Sequence, residues 1–231
     1  MTRWLAIVFA IALTPACEPE VPTESPRTSA APGSAQRIVT LAPHLAEFVV
    51  AVGAGDRLVG VSAYSDFPPE VLDVPVISDA FTVDQEQLAL LEPDLVLAWQ
   101  SGTPAALIDE LQNAGYDVVA IETRGLDDIG KALTDVAQLA GAGEQGRSTA
   151  AEFEAALARI AEQQQAKPDI AVFYQVSGRP LYTVSGRHYI SEIIGLCGGR
   201  NIFAELGELA PTVDVEAVIE RDPEVLLAGS V

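Results

Sequence analysis

The sequence predicts an α/β protein of two similar lobes joined by a long rigid helix, with the second lobe reading as truncated. Three observations lead there. First, a segment occurs twice: Thr82-Val83-Asp84-x-Glu86, six residues, then Pro93-Asp94-Leu95-Val96-Leu97-Ala98, and again Thr212-Val213-Asp214-x-Glu216, six residues, then Pro223-Glu224-Val225-Leu226-Leu227-Ala228. Two copies with a long insert between them describe paired lobes rather than a solenoid, and facing lobes commonly enclose a ligand. Second, short β-branched runs alternate with helical patterns, the signature of a largely parallel sheet. Third, a long helical stretch over 144–165 separates the two copies.

The elements follow in order. Residues 37–41 read as a strand, and Ala42-Pro43-His44 turns the chain into a helix over 44–52 that Gly53 closes. Residues 58–61 form a second strand, followed by the loop Tyr64-Ser65-Asp66-Phe67-Pro68-Pro69, stiffened by its prolines. Asp84 suits a helix N-cap and Pro93 ends that helix. A buried strand over 95–98, a helix over 104–114 and a strand over 118–121 complete a first lobe of residues 37–125. Helices over 126–139 and 144–165 fill a linking segment, 126–167. In the longer one Phe153, Leu157, Ile160 and Ala161 mark one face. A helical link is stiffer than coil, so the expected movement between lobes is small. The second lobe, 168–231, carries strands over 170–174 and 181–184, a helix over 189–196 and the second repeat copy. So short a lobe is marginal for an α/β unit. Its apolar strand over 225–228 is the last expected element, so it reads as incomplete, with exposed apolar surface there.

Residues 1–17 read as a leader: Arg3 precedes an apolar run too short to span a bilayer. Thr14-Pro15-Ala16-Cys17 resembles the lipobox at which a bacterial lipoprotein is cleaved and lipidated on its cysteine, with Leu13 one position earlier than usual. Residues 18–36, rich in Pro, Ser, Thr and Ala, read as a flexible tether. The chain carries 33 acidic and 13 basic residues, a formal net charge of -20. Such a surface repels phosphate backbones and anionic headgroups, which argues against nucleic acid and against electrostatic membrane docking. Beyond Cys17 the only cysteine is Cys197, so no intrachain disulfide forms between mature residues. Its apolar surroundings predict a buried, inert thiol.

No catalytic signature is present: HExxH, CxxC, GxSxG and Walker A are all missing. Gly141-x-Gly143-x-x-Gly146 matches a dinucleotide fingerprint in letters only, because it follows a helix and not a strand. It reads as a break between two helices. His44 and His188, the only histidines, each stand near a helix start in a different lobe. They either converge on a metal or chelate, the basis of a metal-dependent enzyme as the reading of another class, or are solvent-exposed loop residues. Tyr64 and Trp99 stand at the ends of neighbouring strands beside Phe67 and Phe81, where an α/β sheet faces its ligand crevice. Glu86 and Glu216 occupy the first turns of equivalent helices. Each suits its helix dipole, and together they offer one carboxylate per lobe to a two-fold partner.

These stretches resemble the substrate-binding proteins of cobalamin and iron-chelate ABC importers. The residues that carry the likeness are 37–43 with Glu47, the run 59–69, Glu86 with 91–99, and Cys197-Gly198-Gly199-Arg200-Asn201-Ile202-Phe203. The Tyr64–Pro69 loop points to the cobalamin branch. The resemblance implies the class III periplasmic-binding-protein fold with ligand in the cleft, and no enzyme activity. It implies a corrinoid cargo, cobalamin, with haem or a ferric siderophore as the alternative, and neither a resident cofactor nor a metal site. Pro43, His44, Tyr64, Phe67, Phe81 and Trp99 would line the cleft. Glu86 and Glu216 would dock on an ABC importer permease dimer. The binding protein would be monomeric and periplasmic or at the cell surface, held to the membrane only through lipidated Cys17. Where the cobalamin branch places two further cleft tryptophans, this chain has Ala80 and Ala210.

Overall fold

The computed structural model describes residues 35–164 and 169–229. The expected leader with Cys17, nearly all of the expected tether, and the end of the linking segment lie outside the described residues.

The first lobe is a five-stranded parallel sheet. Its strands are β1 (Ile38–Thr40), β2 (Leu58–Ser62), β3 (Val76–Ser78), β4 (Leu95–Trp99) and β5 (Val118–Ile121), in the order β3-β2-β1-β4-β5. Helix α1 (Pro43–Ala51) follows β1, α2 (Gln85–Leu91) leads into β4, and α3 (Ala105–Asn113) joins β4 to β5. The central strands β1 and β4 are buried on both faces, as a parallel sheet requires. Leu45, Val49, Ile38, Leu95 and Leu97 pack with Leu133 and Val136 in one core. Val39, Val96, Leu88, Leu107 and Leu111 pack in the other. The sequence missed β3, whose three residues are too few to show a period.

Helices α4 (Leu126–Leu139) and α5 (Gly143–Gln164) follow. The letters of the dinucleotide fingerprint fall on the turn between them, where Gly141 takes φ +69°. The two helices run antiparallel: Gly146 lies against Ala137, and Gly130 against Glu154. A Cβ on Gly146 would stand 2.1 Å from that of Ala137, so only glycine permits so close an approach. The long helix expected to join the lobes is α5, and α4 lies along it, touching both α1 and the second lobe.

The second lobe has a three-stranded parallel sheet of β6 (Ile170–Gln175), β9 (Gly199–Asn201) and β10 (Val225–Ala228), in the order β10-β6-β9. Helices α6 (Tyr189–Leu196) and α7 (Val215–Glu220) flank it. The strand expected over 181–184 is only β8 (Leu181–Tyr182), which pairs with β7 (Ser177–Gly178) in a two-residue ladder outside that sheet. Its core is small: Phe173, Ile202 and Phe203 with Ala171. On the edge strand β10, Leu226 and Leu227 are exposed. Cys197 is exposed, against the expectation of burial. It is the C-cap of α6, beyond the helical face that buries Ile194, so the apolar run does not carry it inward.

The repeat is a repeated piece of architecture. Asp84 accepts from the Glu86 and Gln87 amides, and Asp214 from the Ala217 amide. Both helices end at a residue of positive φ close by, Glu92 at 43° and Asp222 at 45°. The carboxylate after each proline then fastens the neighbouring strand. Asp94 accepts from the backbone of Gln36 and Arg37, at the start of β1. Glu224 accepts from Ala171 in β6 at 3.1 Å.

Candidate functional site

In an open α/β sheet the ligand crevice lies beyond the carboxyl ends of the strands, where strand order reverses. Here β1, β2 and β3 run outward to one side, and β4 and β5 lie on the other, so the reversal falls between β1 and β4. His44 begins α1 just after β1, and Trp99 ends β4. Their rings meet edge to face at that point, centroids 5.2 Å apart at 84°. Phe48 closes the other side of the imidazole at 5.6 Å.

The loop after β4 fixes the indole. Gly102 and Thr103 donate their amides back to the Trp99 carbonyl, and Thr103 Oγ1 accepts from the Trp99 amide at 3.0 Å. This turn lays Gly102 on the ring: a Cβ there would fall 1.7 Å from Trp99 Cε3. The indole Nε1 is buried without an acceptor.

Trp99 is also part of a cavity of about 340 Å³ between the lobes. Ser101, Thr123 and Arg124 complete the first-lobe wall; Arg187, His188, Tyr189 and Leu209 form the wall opposite. Glu122 organises the first wall. It accepts from Ser101 Oγ at 2.8 Å and from the Thr123 amide at 3.0 Å. Arg124 Nε approaches it at 3.0 Å as an ion pair without hydrogen-bond alignment. Buried polar groups organise the second wall. Asn201 donates to the Val184 carbonyl at 2.8 Å, and its Oδ1 accepts from the Phe203 amide. Ser191 donates to the Ser185 carbonyl. The loop that presents Arg187 and His188 is therefore tied to the strand beneath it.

Neither histidine is a plain exposed loop residue, and the two do not gather into a metal site. Both are half-buried, and burial holds both imidazoles below the usual histidine range. His44 Nε2 pairs with Thr123 Oγ1 at 3.2 Å. His188 caps α6, its Nδ1 accepting from the Ile190 amide at 3.2 Å. Among the described residues no group of three His, Cys, Asp or Glu side chains could hold a metal ion.

The other sequence-selected aromatics lie on the same sheet edge, in the loops after β2 and β3. Tyr64 is 89% exposed, Phe81 75% and Phe67 61%. Tyr64 has φ 66°, a strained conformation for a bulky residue. Asp79 holds the turn that bears Phe81, accepting from the amides of Phe81 and Thr82; those bonds keep its carboxyl below the usual range. Pro43 starts α1 beside His44. Glu86 and Glu216 are exposed in the first turns of α2 and α7. Arg124, Arg187, Ser101 and Tyr189 escaped the sequence reading. A basic residue just after one strand and another just before a helix, in a chain of so few basic residues, was the available signal.

Comparison with known proteins assigns the fold to a family. Residues 38–230 match the family model described as periplasmic binding protein. The vitamin B12-binding protein of Vibrio campbellii is 38% identical over 201 residues, covering 87% of this chain and 73% of that protein. Its counterpart from Pectobacterium carotovorum is 34% identical over 84% of this chain and 71% of its own length. The crystal structure of the periplasmic vitamin B12-binding protein of Vibrio cholerae superposes with a TM-score of 0.77 at 35% identity, covering 85% of this chain and 77% of that one. The periplasmic haem-binding protein of Roseiflexus sp. RS-1 gives 0.76 at 27% identity, over 85% and 76%. The chain belongs to the periplasmic binding protein family, whose members bind solutes and are not enzymes.

Proposed function

We propose that this protein captures cobalamin in the cleft between its lobes and delivers it to an ABC importer. The family sets the coarse frame of a periplasmic protein with a small-molecule ligand and a transporter partner. The observation that carries the finer reading is the cavity whose Trp99 face comes from one lobe and whose Arg187–Tyr189 wall comes from the other. A flat aromatic face held rigid at a sheet's switch point suits a broad planar ring system. The exposed rings of Tyr64, Phe67 and Phe81, in loops at the same edge of the sheet, are available to a ligand broader than the cavity. Pro43 and His44, beside Trp99 at the start of α1, would contact the ligand as it spreads beyond the cavity. Relatives named for vitamin B12 support the corrinoid. Glu86 and Glu216 dock one lobe each on a permease dimer, the binding protein acts as a monomer, and lipidated Cys17 anchors it after leader cleavage.

The test is titration of the leader-cleaved protein, in which Trp99 is the one tryptophan, with cyanocobalamin and, separately, with haemin, following its fluorescence and the visible bands. Saturable quenching by cyanocobalamin at substoichiometric free ligand, with weaker response to haemin, is expected. Binding of haemin alone would replace the corrinoid by the haem reading.

A further inference from the structure

We infer that Arg124 and Arg187 form an anion-recognising pair that reads the phosphodiester in the nucleotide tail of a corrinoid. The inference rests on the cobalamin reading above and deepens it.

The chain has 13 basic residues against 33 acidic ones, yet two guanidinium groups, one from each lobe, line the same cavity. Glu122 offsets one of the two charges, so the pair leaves net positive charge facing the cavity, and an anion there balances it. Each arginine is held by one nitrogen only. Arg124 Nε stands 3.0 Å from Glu122 as an ion pair, and Arg187 gives Nη1 to the Gly207 carbonyl at 3.0 Å. A guanidinium carries five N–H donors in a fixed fork, so most donors of both groups remain uncommitted among the described residues. Tethering orients the forks while leaving their other edges to a ligand, the arrangement that favours bidentate recognition of phosphate. The histidine in the same wall adds no charge that could do this work, since its Nδ1 accepts a backbone hydrogen bond. A neutral ring alone would be served by Trp99, Tyr189 and Leu209; the arginines add a site for an anionic group. In cobalamin that group is the phosphodiester, because the side chains of the corrin ring are neutral amides. Across the surface the net charge of -20 opposes an anion, so local positive charge in the cleft is what admits one.

The experiment compares cyanocobalamin with dicyanocobinamide, which keeps the ring and lacks the nucleotide tail. It uses the wild type, Arg124→Gln, Arg187→Gln and the double variant, at low and high salt. We expect the wild type to prefer cyanocobalamin. The double variant should lose about ten- to hundredfold in its affinity for cyanocobalamin, with less than about twofold change for cobinamide and a flatter salt dependence. Retained cobinamide binding shows that the variant is folded. Equal wild-type affinity for the two corrinoids, or equal loss for both in the variants, overturns the arginine pair and leaves the cobalamin reading standing. A wild type that binds neither corrinoid overturns the cobalamin reading, and the pair with it.

Discussion

The imidazole of His44 stands edge-on to the indole of Trp99, ring centroids 5.2 Å apart, at the one place in the first sheet where strand order reverses. The contact joins the end of β4 to the start of α1, behind the Trp99 that lines the cavity. The protonation state of His44 therefore bears on stability.

Burial lowers the folded-state basicity of His44 and His188. The unfolded chain then binds protons that the folded one does not, so stability rises with pH across that window. The contribution should be complete above the ordinary histidine range, near pH 6.5, and fall away as pH drops below it. Melting temperatures from pH 7.5 to 5 should show this loss, and His44→Gln should reduce it. An unchanged slope in the variant would remove His44 from the account.

Gly102 should matter to the ligand without touching it. Gly102→Ala puts a methyl group where the indole lies, so Trp99 must move. Affinity should drop nearly as far as in Trp99→Ala, by about 1–3 kcal/mol. Calorimetric titration of both variants checks this, and wild-type affinity in Gly102→Ala would show that the ring position is not limiting.

Tyr64 is held at φ 66°, a backbone cost that glycine does not bear. Tyr64→Gly should raise unfolding free energy by about 1 kcal/mol while weakening cobalamin binding. Urea unfolding and ligand titration measure the two effects separately. A destabilised variant would mean that the exposed ring packs more than its exposure indicates.

Close packing of α4 on α5 depends on Gly146. Alanine there gains helix propensity of about 1 kcal/mol, yet its methyl collides with Ala137. Overpacking costs about 1–3 kcal/mol, so Gly146→Ala should lower the melting temperature. A rise would show that the helices separate without penalty.

Reversing both Glu86 and Glu216 to Lys should abolish importer-dependent uptake and leave cobalamin affinity intact, since neither carboxylate lines the cavity. Repulsion from a basic partner makes the double change worse than either single one. Vesicle uptake assays decide it; normal transport by the double variant would reduce the two residues to helix-end charges.

What the sequence determined by itself was local and periodic. Asp84 and Asp214 cap helices because a carboxylate at that offset meets free amides, wherever the helix sits. Apolar runs such as 95–98 mark buried parallel strands, and the repeat of Asp94 in Glu224 shows two equivalent strand junctions. The likeness carried by the Tyr64–Pro69 loop and the 91–99 segment indicated the family. Cys197 was misplaced because composition of a run does not say where its helix ends. Only the tertiary structure decided which loops share a cavity. Arg124 and Arg187 lie far apart in the chain and line one cavity only because the packing of the linking helices fixes one lobe against the other. The Leu126 amide, donating to Glu192 at 2.7 Å, ties that join where α4 begins. No local pattern encodes such a meeting, since it depends on the summed packing of elements whose individual signals say nothing about their mutual orientation.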